Sequence, residues 1–245
     1  MKARWITLML LAAGSVGAWA QQFVTDGLVA MYTFDKNTVQ GEVVQDVFGG
    51  NDAKLVGNLE LVDGVIGEAF QFDGNPNYVE IPALGDWPEV SVECWAMEDS
   101  FGGIQGIVST WQWAAGKVHF KFESNQIQVH KNDGVKIVYP NPEAGVWYHI
   151  VYTTDTGANE LKLYVNGELA AEGTSGATPE NMNERRVGSE HDGRYLIGKV
   201  DEVRLYNRVL TPEEVAQNYN AQSNSLSVDP RGKLTTTWGA LRALR

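Results

Sequence analysis

Between residues 27 and 206, apolar and polar positions alternate with a period of two, in short runs separated by Gly, Asn, Asp and Pro. That period places successive side chains on opposite faces, so each run predicts a short half-buried strand. The runs are GLVAMYTFD, EAFQFDG, NYVEIP, SVECWAM, GIVSTW, KVHFKFE, QIQVHKN, WYHIVYTTD (Trp147 to Asp155) and LKLYVNGELAAEG (Leu161 to Gly173). Asn166-Gly167 sits between two alternating segments and predicts a two-residue hairpin turn. About a dozen short strands at this spacing define a sandwich or jelly roll. A single helix is predicted near the end, where Thr211-Pro212-Glu213-Glu214 supplies an N-cap, a proline at the first helical position and a capping-box glutamate. It is expected to plug one end of the sandwich with Val215, Ala216 and Tyr219.

The stretch LIGKVDEVRLYNRVLTPEEVAQNY, residues 196–219, carries an apparent conflict. In strict alternation Asp201 shares a face with Val203 and Leu205, and a carboxylate on an apolar face must be compensated by a cation, by donors or by a proton.

Both ends of the chain depart from the strand pattern. Lys2 and Arg4 precede an apolar run from Trp5 to Ala13, and Ala18-Trp19-Ala20 forms a small-x-small cleavage pattern, so residues 1–20 read as a secretory signal peptide cleaved after about Ala20. The product is expected to be secreted, in the extracellular space or the periplasm, with no membrane insertion of the mature chain. Residues 21–221 form the expected domain, and 222–245 a polar linker and a short basic tail containing Trp238, Leu241 and Leu244. Without Lys2 and Arg4 the chain has 17 basic residues against 31 acidic, a net charge of −14, which argues against nucleic acid as a partner. Cys94, the single cysteine, shares parity with Val90 and Val92 and is expected to be buried and inert.

At GLVAMYTFD, GVIGEAFQFDGNPNYVEIP, VSVECW, WYHIVYTTD, LKLYVNGELAAEG and IGKVDEVRLYNRVLTPEEVAQNY the chain resembles the laminin G-like (LamG) domains of the concanavalin A-like lectin/glucanase superfamily. The resemblance covers about residues 27–219. It implies an all-β jelly-roll sandwich of two antiparallel sheets with one short C-terminal helix. For function it implies a secreted, lectin-like module that recognises carbohydrate; the alternative is an extracellular protein-interaction or adhesion module, with a glycoside hydrolase as a third reading.

The catalytic reading requires two facing carboxylates. Glucanases that share this fold carry E-x-D-x-x-E on one strand, and that pattern is absent, so the chain is expected not to be an enzyme. In similar domains a structural calcium is held by an acid equivalent to the one in DEVRLY, with oxygens from the early strand and loop. Carried over, this nominates Asp201, Asp35 and Asp46 as metal ligands; the DVFGGND loop departs from the family's D-x-S-G-N pattern at Phe48. Candidate ligand-binding residues are Trp111 and Trp113, because pyranose faces stack on indole, with His119, Lys121 and Tyr139 expected nearby. The polar loop 191-HDGR-194 adds His191, Asp192 and Arg194.

Overall fold

The structure, a computed structural model, describes residues 22–191 and 193–221. The expected signal sequence, linker and basic tail, and Asp192, lie outside the described residues. Among the described residues no helix is long and apolar enough to cross a membrane.

The alternating runs form two layers. One is an eight-stranded antiparallel sheet whose centre is the strand Glu89–Glu98, flanked by Tyr148–Asp155 and Ile197–Tyr206. Leu28–Tyr32 pairs with Ile197–Tyr206, so the first and last strands lie side by side. The opposite layer combines a four-stranded sheet, which includes Val118–Glu123 and Gln126–Lys131, with a six-stranded sheet. Ile107 joins the two: its N–H donates to Phe120 and its carbonyl accepts from Gly188. Between the layers lies one apolar core, built from Phe70, Val92, Cys94, Ile150 and Leu205 on one side and Leu55, Val79, Val108, Phe120 and Ile127 on the other. Cys94 is buried there, and burial pushes its thiol well above the usual range.

The hairpin at Asn166-Gly167 forms as predicted, with φ of 53° and 83° and Val165 paired to Glu168. Pro212–Tyr219 is helical, and Thr211 and Glu214 exchange the two bonds of the capping box. Its position differs from the expected plug. The helix lies on the outer face of the eight-stranded sheet, where Val215 packs with Phe23, Leu28, Met31, Val151, Tyr164 and Tyr206. This second apolar cluster explains why outward residues of the central strands are buried instead of solvated.

Asp201 also differs from its expected orientation. The ladder between Ile197–Tyr206 and Glu89–Glu98 pairs Asp201 with Trp95 but Arg204 with Glu93, so one extra residue is inserted between them. Glu202 absorbs it with φ of 52°, a β-bulge that resets the alternation. Val200, Val203 and Leu205 therefore face the core while Asp201 joins Arg204 and Tyr206 on the outer face.

Candidate functional site

The candidate site lies on the outer face of the four-stranded sheet. In Val118–Glu123 the even positions Val118, Phe120 and Phe122 enter the core, which leaves His119, Lys121 and Glu123 on the other face. The neighbouring strand pairs His130 with His119 and Gln128 with Lys121. Residues 189–191 and 193–195 fold across this face: Ser189 bridges Tyr195, and the Arg194 carbonyl accepts from Gly106 and Glu190. A side chain at Gly106 would place its Cβ 2.2 Å from the Ser189 carbonyl carbon, so this close approach of backbone to strand requires glycine.

The crossing segment buries Glu190 and His119 completely. Glu190 Oε1 accepts from Arg194 at 2.7 Å and Lys121 at 3.4 Å, and Oε2 accepts from Ser109 at 3.4 Å. Burial alone would raise the Glu190 pKa, but His119, Lys121 and Arg194 outweigh it and hold the carboxyl below its ordinary value. Burial pushes the His119 pKa down, against the pull of Glu190. His119 Nδ1 stands 3.4 Å from Glu190 Oε1, and neither ring nitrogen has a hydrogen-bond partner of good geometry among the described residues. A polar group buried without a partner costs about 1–3 kcal/mol.

Trp113 lies over this cluster. Its ring centroid is 4.3 Å from that of His119, 5.3 Å from His130 and 6.0 Å from His191. Despite these three contacts Trp113 is 58% exposed, and Trp111 is 38% exposed. Arg186 stacks between Tyr78, at 4.3 Å, and Trp111, at 5.9 Å. The result is a wet face with two open indoles, imidazole neighbours and the half-exposed Arg194.

The expected site residues are therefore partly united. Trp113, His191 and Arg194 converge with His119 and Lys121, and Trp111 stands at the margin through Arg186. Tyr139 does not join them: it packs toward the core and against Tyr148. His130 and Glu190 were not anticipated. The parity of QIQVHKN placed His130 on the outer face, whereas nothing local marks Glu190, whose burial depends on Gly106 and the crossing segment.

The three acids nominated for calcium separate. Asp46 is occupied as a loop organiser, accepting from the backbone of Met31, Phe48, Gly49 and Asn51 and from the Asn51 side chain. Five donors saturate its two oxygens and, despite burial, lower its pKa, so the structure does not support Asp46 as an ion ligand. Asp35 and Asp201 brace the same turn, Asp35 accepting from Glu68 and Asp201 Oδ2 from Val65 and Ile66. Asp201 Oδ1 is buried without a hydrogen-bond partner among the described residues, and burial together with Glu202 raises its pKa to about 8. A buried carboxylate oxygen in that condition fits a cation at Asp201.

The match to known proteins agrees with this architecture. The family model Laminin_G_3, of the concanavalin A-like lectin/glucanases superfamily, matches residues 73–216, and the chain belongs to that family. Adhesion G-protein coupled receptor D1 of Homo sapiens is 34% identical over 87 residues, which cover 33% of this chain and 10% of the receptor. Domain 4 of AbnA, a GH43 extracellular arabinanase from Geobacillus stearothermophilus, solved in complex with arabinotriose, superposes with a TM-score of 0.64 at 19% identity. It covers 78% of this chain and 98% of that one. Trypanosoma rangeli sialidase superposes with a TM-score of 0.65 at 20% identity, over 87% of this chain and 35% of the sialidase. At these identities the superpositions establish a shared fold.

Proposed function

We propose that this protein binds carbohydrate, without catalysis, on the outer face of the four-stranded sheet, with Trp113 as the stacking platform. The observation that carries this reading is the combination of exposure and restraint at Trp113, an indole open to solvent yet fixed by three imidazole rings. A ring held in place before binding loses little conformational freedom when a sugar stacks on it. Arg194 and the nearby imidazoles supply edge contacts to hydroxyl groups. The arabinotriose complex of a domain with this fold adds support. Glu190 is held ionised between two cations, which does not suit it to the general-acid role that glycoside cleavage requires. The expected leader at residues 1–20 supports an activity outside the cytoplasm. Affinity electrophoresis across arabinans, xylans, glucans and host-type glycans tests the proposal: retardation in one class is expected, and migration unchanged in all of them contradicts it.

The adhesion-receptor relative favours a second reading, in which the same face engages an extracellular protein. Pull-down on a glycosylated partner before and after deglycosylation separates the two, since only the protein-binding reading survives removal of the glycan.

A structural calcium at Asp201 belongs to the proposal. Calcium added to chelator-stripped protein is expected to raise the melting temperature of the wild type, and Asp201→Ala to remove that rise. A wild-type melting curve unmoved by added calcium contradicts calcium at this position.

A further inference from the structure

The cluster beneath Trp113 has a chemistry that sugar stacking does not use. Donor atoms of His119, Glu190 and His191 all lie within 4.8 Å of one another. The three residues come from two segments that Gly106 allows to touch. His119 is fully buried, and both its ring nitrogens lack hydrogen-bond partners among the described residues. Buried imidazoles normally have such partners, and a metal ion is a common substitute for one.

We propose that His119, Glu190 and His191 form a binding site for a divalent transition-metal ion, best matched by zinc. Two imidazoles and one carboxylate suit zinc, whereas calcium takes oxygen ligands. Around a tetrahedral ion, ligand atoms stand about 3.3–3.6 Å apart, so the cluster needs only a small contraction. His191 is partly exposed, and its ring stacks on that of His119 with centroids 5.5 Å apart.

Two cations oppose the ion, and each has an alternative position. Lys121 contacts Glu190 at 3.4 Å but also Glu123 at 3.0 Å, a second carboxylate that can keep it. The Arg194 side chain is 35% exposed and can swing into water. Glu190 Oε1 stands 3.4 Å from His119 Nδ1, the spacing of two ligands on one ion, so it is the oxygen placed to ligate once Arg194 turns away. Lys121 and Arg194 thus hold Glu190 in the ion-free chain, and the metal replaces Arg194 when it binds. Three protein ligands leave a fourth position for water or a ligand oxygen. The ion would also pin Glu190 and His191 to the sheet, and with them the imidazoles that fix Trp113.

This proposal does not depend on glycan binding and is tested with metal alone. Tag-free full-length protein, stripped with chelator, is titrated with zinc by calorimetry and with cobalt by visible absorption. One saturable site is expected, with a cobalt spectrum of tetrahedral intensity and no displacement by excess calcium. His191→Ala, at a partly exposed position that should not disturb folding, is expected to weaken zinc binding about tenfold or more, as loss of one of three ligands demands. Arg194→Gln is expected to tighten it by removing the competing charge. Absence of saturable zinc binding in the wild type overturns the proposal. So does unchanged affinity in a folded His191→Ala variant.

Discussion

Replacing Arg204 by methionine is expected to destabilise the protein by about 3–5 kcal/mol, among the largest effects of any single substitution in it. Arg204 is buried on the outer face of the large sheet beneath the helix. It donates to Glu93 at 2.6 Å and to Glu202, and its guanidinium lies 4.5 Å from the centre of the Phe23 ring. Glu93 also contacts His149 at 3.1 Å and accepts from Asn218 at 2.5 Å; Asn218 in turn accepts from Val24 at 2.7 Å. The network therefore ties the N-terminal segment and the helix to the central strands. Methionine preserves volume but leaves two carboxylates buried without their cation. For a protein of this size the loss corresponds to a fall in Tm of roughly 10 °C, read by calorimetry.

The same network sets the acid limb of stability. Burial alone would raise Glu93, but Arg204, His149 and Asn218 bring its pKa down to about 2 from 4.5. Its contribution is complete above about pH 4.5 and is lost as pH falls through 2. Two other carboxyls act in the opposite sense. Burial raises Glu98 to about 8, and burial with Glu202 raises Asp201 to about 8. Each keeps a proton in the fold that the unfolded chain releases near pH 4, so in ion-free protein stability declines as pH rises from about 4 toward 8. Denaturant titrations of the chelated protein should find greater stability near pH 5 than near pH 8. Equal stability at the two would contradict these assignments.

A loss of similar size, about 3 kcal/mol or more, is expected for Arg185→Met at a second buried ion pair, across the core. Glu180 and Arg185 are both fully buried and bonded to each other. Glu180 also accepts from Tyr152 and Thr154, each at 2.7 Å, while Arg185 donates to the Val118 carbonyl at 2.9 Å. The pair thus links the large sheet to the four-stranded one across the end of the core. Removing Arg185 alone strands a carboxylate with two hydroxyl donors. Adding Glu180→Gln removes the charge and keeps both hydroxyl contacts, one of them reversed so that the amide nitrogen donates, so the double variant should recover much of the loss in a double-mutant cycle. Strict additivity of the two substitutions would show that the ion pair is not what holds this end together.

Much of this architecture follows from local patterns in the chain. The capping box, the Asn166-Gly167 hairpin and the inward parity of Cys94 are each decided by a few neighbouring residues, and each forms as expected. Asp201 was misplaced because alternation assumes an unbroken ladder, and the bulge at Glu202 requires a non-glycine residue at positive φ that no local signal announces. Glu93 points away from the core by its parity, yet it is buried, because Phe23 and the helix from Pro212 cover that face from far away in sequence. The site divides in the same way. His119, Lys121 and His130 follow from strand parity, whereas Glu190 becomes a member only when residues 189–191 cross Gly106.

Glycan binding through Trp113 is tested most directly by comparing wild type with Trp113→Ala on the polysaccharide that retains the protein, using calorimetry. The side chain is 58% exposed, so its removal should leave the Tm nearly unchanged. Loss of a central stacking ring should weaken affinity by about thirtyfold, equivalent to about 2 kcal/mol. A folded Trp113→Ala protein that binds the polysaccharide as tightly as wild type would contradict the account.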